Sequence, residues 1–114
     1  MAVDRLKSRI WVQAQVRLCD IHNLPAYVTQ RGDPDAGAII LRLNKLDGTS
    51  LAYSQARTVE GDLAWTPASG GDKGRLTNEA ADAYISRQRK FDPDLWVLEI
   101  EDPQGRYQID GKIV

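Results

Sequence analysis

The chain is poor in the residues that most often carry catalysis or bind metals. Its 114 residues include one cysteine, Cys19, and one histidine, His22. A disulfide within the chain is therefore impossible, which suits a reducing compartment. A structural zinc site needs three or four ligands, and a serine or cysteine triad needs an oriented histidine base. The composition argues against both kinds of site.

Long apolar runs and an excess of charge of one sign are also missing. Charged residues crowd the first nine positions and glutamines interrupt the next apolar stretch, so no run of signal-peptide or bilayer type is present. The formal net charge is −1, whereas nucleic-acid binders usually show a basic excess. We therefore expect a cytoplasmic protein without a membrane span, for which nucleic acid is not the expected partner.

The residues that are present predict a single globular domain over residues 1–114. The sequence is 42% hydrophobic and 27% charged, close to the globular average, so a packed core is expected. Its most distinctive pattern is a repeated Asp-Pro-Asp, at residues 33–35 and 92–94, each leading into an apolar run. Aspartate opens turns and proline presets their backbone, so the repeat predicts that the same turn chemistry starts two strands.

The apolar spacing predicts two helices and five or six strands. Leu6, Ile10, Ala14 and Ile21, with Trp11 and Leu18 beside them, make a stripe at helical spacing in a first helix from about residue 6 to 23. A second helix begins at Thr77 or Asn78 and runs to about Lys90. The predicted strands are 26–29, 37–45, 51–57, 63–66, 95–101 and 106–109, with a flexible loop at 67–75 and an end that frays from residue 110.

These elements indicate an α+β fold, in which a mainly antiparallel sheet of five or six strands packs against two helices. Tight turns such as Asp47-Gly48 favour antiparallel neighbours. The second face of the 37–45 strand is half apolar, so a three-layer α/β/α sandwich is the alternative. If the second helix acts as a crossover, the strands after the two Asp-Pro-Asp turns share one direction and both turns lie at the same sheet edge.

Four carboxylates would then meet at that edge. In extended backbone, residues two apart point to the same side, so Asp33 aligns with Asp35, and Asp92 with Asp94. Oxygen clusters of this kind suit Mg²⁺ or Ca²⁺. The hypothesis is a divalent-metal-binding protein or a metal-assisted enzyme. The alternative is plain turn chemistry with no cofactor.

Four basic residues are further candidates for binding. Arg31 lies beside the first Asp-Pro-Asp, and Arg87, Arg89 and Lys90 form a small patch at the end of the second helix. Arg31, Arg89 or Lys90 can also neutralise the aspartates. Since no catalytic motif is present, the leading hypothesis is a non-enzymatic interaction module. It would bind an unknown protein partner, or itself as a homodimer, through a sheet edge or the face near the two turns.

Three longer strings carry a resemblance to a known family. They are Arg-Gly-Asp-Pro-Asp-Ala-Gly-Ala at 31–38, Tyr-Ser-Gln-Ala-Arg at 53–57, and Phe-Asp-Pro-Asp-Leu-Trp-Val at 91–97 followed by the acidic stretch 99–102. Together they resemble an uncharacterised family of short bacterial proteins, the domain-of-unknown-function family fourteen-ninety-one. The resemblance implies a soluble, single-domain bacterial protein. It brings no activity, cofactor or catalytic residue with it.

Overall fold

A computed structural model describes residues 6–68 and 75–114. Within these residues the chain forms two helices and a seven-stranded sheet. In chain order the elements are α1 (Ser8–Ile21), β1 (Ala26–Gln30), β2 (Ile39–Asn44), β3 (Thr49–Arg57), β4 (Leu63–Pro67), β5 (Arg75–Thr77), α2 (Asn78–Phe91), β6 (Trp96–Glu101) and β7 (Lys112–Ile113). Neither of the two described helices is long and apolar enough to cross a bilayer.

The sheet is mixed, and most of its strand pairs are antiparallel, as predicted. Its strand order is β1-β6-β2-β3-β4-β7, with β5 paired to the other half of β3. The pairs β2–β6 and β4–β7 are parallel and the remaining pairs are antiparallel. The α+β class and the two helices are confirmed, whereas the prediction of five or six strands is too low for the described residues.

Two predicted segments near the carboxyl end are wrong. Residues 102–110 form irregular turns instead of the predicted strand 106–109. The cause is Asp102, whose two carboxylate oxygens accept the N–H groups of Arg106 and Tyr107 at 2.7 and 3.0 Å. The chain end from residue 110, which was predicted to fray, instead contains β7, and β7 pairs with β4. Part of the predicted loop 67–75 lies outside the described residues, and its last residue begins β5.

The helices cover opposite faces of the sheet. On β2, Ile39, Leu41 and Leu43 pack in one core cluster with residues of α1, while Ile40 packs in a second cluster with residues of α2. This alternation is the pleat of a strand buried on both sides. The arrangement has the layer order of the three-layer alternative.

Helix α2 follows its sequence signals closely. The Thr77 hydroxyl accepts the N–H of Ala80 at 3.1 Å, which is the predicted amino-terminal cap. Basic residues in the last turn complement the helix dipole. Ala81 and Tyr84 are buried against the sheet, as their spacing predicted.

Helix α1 is rotated relative to its apolar stripe. Its buried residues are Ser8, Trp11, Val12, Gln15 and Cys19. The stripe that the sequence shows most clearly lies on the solvent side instead. A stripe of this kind ordinarily faces a core, so its exposure is the most unexpected feature of the fold.

Candidate functional site

The two Asp-Pro-Asp turns lie side by side at the edge where β2 and β6 begin. The N–H of Asp33 donates to the carbonyl of Asp94 at 2.8 Å. The indole N–H of Trp96 donates to the carbonyl of Asp33, also at 2.8 Å. The prediction that both turns share one sheet edge is therefore confirmed, and its cause is the parallel pairing of the strands that follow them.

Glycines make this close approach possible. A Cβ atom on Gly32 would lie 2.0 Å from the carbonyl oxygen of Asp94, and one on Gly37 would lie 2.4 Å from the same oxygen. Neither position has room for a side chain, because the obstructing atoms are backbone. The Arg-Gly-Asp-Pro-Asp-Ala-Gly string thus encodes a backbone-to-backbone junction between the turns.

Helix α1 begins on the same junction. The Lys7 side chain gives no cap to the helix, and the first N–H groups of a helix need acceptors. The N–H of Arg9 donates to the carbonyl of Pro34 at 2.9 Å. The hydroxyl of Ser8 donates to the carbonyl of Gly37 at 2.6 Å. The junction therefore fixes α1, β2 and β6 relative to one another.

Three of the four aspartates have contacts of their own in this arrangement. Asp33 Oδ2 accepts two backbone N–H groups of its own turn, at 2.8 and 3.2 Å, and Asp92 Oδ1 accepts the N–H of Asp94 at 3.0 Å. Asp35 faces Lys7 at 3.6 Å. Among residues 6–68 and 75–114, no group of three or more His, Cys, Asp or Glu side chains is placed to hold a metal ion. All four residues lie at one edge of the sheet, where the carboxylates of Asp33 and Asp92 accept N–H groups of their own turns.

The predicted basic residues lie around the same end of the sheet. The guanidinium carbon of Arg31 is 6.0 Å from the centre of the Trp96 ring. Arg89 lines a cleft of about 370 Å³ beside β1 and α2. Arg87 and Lys90 are exposed on the last turns of α2. Their role in binding stays a prediction.

A buried arginine under α2 was missed by the sequence reasoning. The Arg42 side chain is only 10% exposed and forms an ion pair with Asp82. Its Nε donates to the Ser50 hydroxyl at 3.2 Å and lies 3.8 Å from Glu99, and Ser50 in turn donates to Asn78 Oδ1 at 2.8 Å. The network joins three strands, β2, β3 and β6, to α2. Its groups are occupied with one another, which is typical of a structural role.

A cleft of about 420 Å³ lies beside the last turns of α1, and Cys19 and Tyr107 line it. Cys19 is 1% exposed, and burial together with the charge of Asp102 raises the pKa of its thiol. The Tyr107 hydroxyl donates to Gln15 Oε1 at 2.7 Å, and burial raises its pKa. Both groups therefore stay protonated at neutral pH, and neither is an activated nucleophile or base.

The outer face of α1, together with Leu6 just before the helix, presents a row of exposed apolar side chains. The exposed fraction is 60% for Leu6, 42% for Ile10, 47% for Leu18 and 65% for Ile21, and Ala14 between them is also exposed. We call these five residues the α1 ridge. Contiguous exposed apolar groups of this kind mark protein interaction sites on soluble domains.

Grooves border the α1 ridge on both sides. The cleft of about 420 Å³ includes Leu18 on one flank. On the other flank, a groove of about 430 Å³ runs between α1 and β1 and is lined by Val16, Arg17, Asp20 and Tyr27, among others. A ridge between two grooves is the shape with which helices pack against one another.

The sheet edge formed by β1 is a weaker candidate surface. Strand β1 ends the sheet among the described residues. Tyr27 and Val28 on it are 48% and 38% exposed. The register slips between Val28 and Gln30, and a bulge of this kind discourages pairing with another strand.

The observations above define a class of protein: an α+β domain with one helix on each face of a mixed sheet and an exposed apolar helix ridge. The chain belongs to the family described as "Protein of unknown function (DUF1491)", which matches residues 6–110. The resemblance found in the sequence strings is confirmed. The family has no assigned activity.

Among the solved structures similar to this chain are two of proteins from one organism and one from another. The crystal structure of a DUF1491 family protein from Caulobacter crescentus CB15 is 31% identical, with a TM-score of 0.82 over 96% of this chain and 100% of that one. The NMR structure of a DUF1491 family protein from the same organism is 30% identical, with a TM-score of 0.81 over 98% and 99%. The solution structure of protein Atu0922 from A. tumefaciens is 30% identical, with a TM-score of 0.70 over 93% and 90%. No curated protein matches the chain.

A sequence signal for the ridge does exist. Helix α1 carries apolar residues on two sides, because Trp11, Val12 and Cys19 make a second stripe beside the more obvious one. A helix with two apolar faces has more apolar surface than one sheet can cover. That excess points to a second contact.

Proposed function

We propose that this protein is a non-enzymatic protein-interaction module and that the α1 ridge is its binding surface. The single observation that carries the proposal is the exposure of Ile10, Leu18 and Ile21 along one face of α1, with Leu6 exposed two residues before the helix. Complete burial of such a side chain contributes about 1.5–3 kcal/mol. Four side chains that are about half exposed therefore retain on the order of 3–6 kcal/mol of burial free energy for a partner.

The other surfaces considered for this role support it less well. The face near the Asp-Pro-Asp turns is held together by a backbone hydrogen bond between the turns and by the Trp96 indole, which donates to the carbonyl of Asp33. The edge of β1 carries a bulge. The proposal also places the protein in the cytoplasm, and the free, buried thiol of Cys19 supports that location.

Photo-crosslinking inside cells tests the proposed surface. A photoreactive phenylalanine analogue is placed at Ala14, in the middle of the ridge. The matched control carries the same analogue at Ala83, an exposed alanine on α2. Crosslinked products are identified by mass spectrometry.

We expect a discrete crosslinked protein, the same in repeated experiments, from the Ala14 position and none from the Ala83 position. A second copy of this chain counts as such a protein. Equal crosslinking from both positions, or none from Ala14, would contradict the proposal.

A further inference from the structure

We infer that the cleft of about 420 Å³ beside the last turns of α1 binds a small organic acid, in which an apolar chain carries one carboxylate. The inference goes beyond the proposed function, because the ligand is a small molecule and the site is the cleft rather than the α1 ridge. Three features carry it: the apolar lining of the cleft, buried donors without acceptors, and the sign of the charge at the cleft.

The cleft has the size and the lining of a small-molecule site. Such sites have volumes of about 300–1,000 Å³ and are mostly apolar, with a few polar groups that orient the ligand. Leu18, Cys19 and Leu24 supply the apolar part of this lining. Cys19 and Leu24 are 1% and 6% exposed, so they are parts of the packed core. A hydrocarbon chain in contact with them would leave water, which favours binding.

Gln15 supplies buried hydrogen-bond donors to the cleft. The residue is 6% exposed, and its Oε1 accepts the Tyr107 hydroxyl at 2.7 Å. Its amide nitrogen carries two N–H groups, and neither has an acceptor among the residues that the structure describes. A buried donor without an acceptor costs free energy. A ligand oxygen in the cleft would remove that cost.

Arg106 gives the lining a positive charge. None of the described residues that line the cleft is an aspartate or a glutamate, and Arg106 forms no ion pair within residues 6–68 and 75–114. One nitrogen of its guanidinium donates to the carbonyl of His22 at 2.7 Å, which holds the group at the end of α1. Its other N–H groups are available to a carboxylate, which arginine binds through two parallel hydrogen bonds.

Asp102 limits the charge that the ligand can carry. Its carboxylate is buried, and both of its oxygens accept backbone N–H groups of the turn that follows. Its negative charge nevertheless acts on the cleft, since together with burial it raises the pKa of the Cys19 thiol. A second or third negative charge on the ligand would be repelled at this distance. The cleft therefore favours a monocarboxylate over a phosphate or a polycarboxylate.

A pair of matched probes tests the inference. Hexanoate is the probe, and hexanamide has the same chain without the charge. Amide NMR spectra of the protein are recorded during titration with each compound at neutral pH. We expect hexanoate to cause saturable shifts of the backbone amide of Cys19 and of the side-chain amide of Gln15. Hexanamide should bind about tenfold more weakly, because a hydrogen bond between charged groups contributes about that factor.

Arg106→Gln should weaken the binding of hexanoate by about tenfold and leave that of hexanamide unchanged. Arg17→Gln is the matched control, since Arg17 is an exposed arginine in the groove between α1 and β1, and we expect it to change neither affinity. The same spectra show whether each variant folds, and the two probes decide on the wild-type protein alone if Arg106→Gln does not. The absence of saturable shifts, equal affinities for the two probes, or equal weakening by both variants would overturn the inference.

Discussion

At the scale of single residues, the junction of the two turns depends on Gly32. A Cβ atom there would lie 2.0 Å from the carbonyl oxygen of Asp94 and 2.6 Å from the carbonyl carbon of Leu95. Both obstacles are backbone, so relief requires the two turns to separate. The junction also holds the start of α1. Disrupting the junction would therefore disturb the packing of α1, β2 and β6.

We therefore expect Gly32→Ala to lower the free energy of unfolding by about 3 kcal/mol or more. Gly48→Ala is the matched control. Gly48 has a φ of +89° with no atom within 4 Å of its added Cβ, so only the backbone conformation resists the change, at a cost of about 1–2 kcal/mol. Urea unfolding measures both. An equal loss of unfolding free energy in the two variants would show that the contact between Gly32 and the backbone of Asp94 and Leu95 leaves room for a side chain.

A second prediction at this scale concerns alkaline pH. Burial raises the pKa of Tyr107, so its folded-state pKa lies above the value of about 10 in the unfolded chain. A group with a raised pKa contributes stability that is complete below the unfolded pKa and is lost as the pH rises beyond it. Stability should therefore fall above about pH 10.

The Tyr107→Phe variant should lose less stability between neutral pH and about pH 11 than the wild type does. At neutral pH it should be about 1 kcal/mol less stable, because the hydrogen bond to Gln15 is lost. Tyr27→Phe serves as control, since Tyr27 is 48% exposed. The free energy of unfolding is measured by urea titration at each pH. If the unfolding free energy of Tyr107→Phe falls with pH as steeply as that of the wild type, Tyr107 is not the source of the alkaline loss of stability.

At the scale of elements, α2 and α1 show what a sequence can and cannot predict. The start of α2 and its buried face were predicted because both depend on local signals, the Thr77 cap and the spacing of Ala81 and Tyr84. The orientation of α1 depends on distant partners. The Trp11 ring packs 5.4 Å from the ring of Trp65, and Gln15 accepts the hydroxyl of Tyr107.

These contacts turn the more obvious apolar stripe of α1 toward solvent, and no local pattern encodes them. The two strands that were not predicted, β5 and β7, have three and two residues. Such short segments show no alternation to detect. The buried Arg42 was missed for a related reason: its partners Ser50 and Asp82 come from other elements.

The orientation of α1 gives a prediction for stability. Ile21→Gln on the ridge should change the free energy of unfolding of dilute, monomeric protein by no more than about 0.5 kcal/mol. Val12→Ala on the buried side should cost about 2 kcal/mol, because Val12 is 1% exposed and its removal leaves a cavity. Chemical unfolding of dilute samples provides the comparison. A cost for Ile21→Gln as large as that for Val12→Ala would mean that the helix is rotated.

At the scale of the whole molecule, strand direction was the most useful inference. The helical crossover placed the strands after both Asp-Pro-Asp turns in the same direction, and they prove to be the parallel neighbours β2 and β6. The sequence could not reveal how the carboxylates would be used. That depends on turn geometry, in which Asp33 and Asp92 accept backbone N–H groups.

Adding Mg²⁺ or Ca²⁺ should therefore leave the melting temperature of the protein as it is in EDTA. A ligand that binds only the folded state raises stability, and two of the aspartates are already engaged in their own turns. Thermal unfolding with and without each ion measures the effect. A rise of several degrees that disappears in the double variant Asp35→Asn/Asp94→Asn would restore the metal hypothesis.

The most direct test of the α1 ridge as a protein-binding surface is to compare photo-crosslinking inside cells from Ala14, on the ridge, and from Ala83, on α2. We predict a discrete crosslinked protein from the Ala14 position and none from the Ala83 position. Equal crosslinking from both positions, or none from Ala14, would contradict the assignment of protein binding to this ridge.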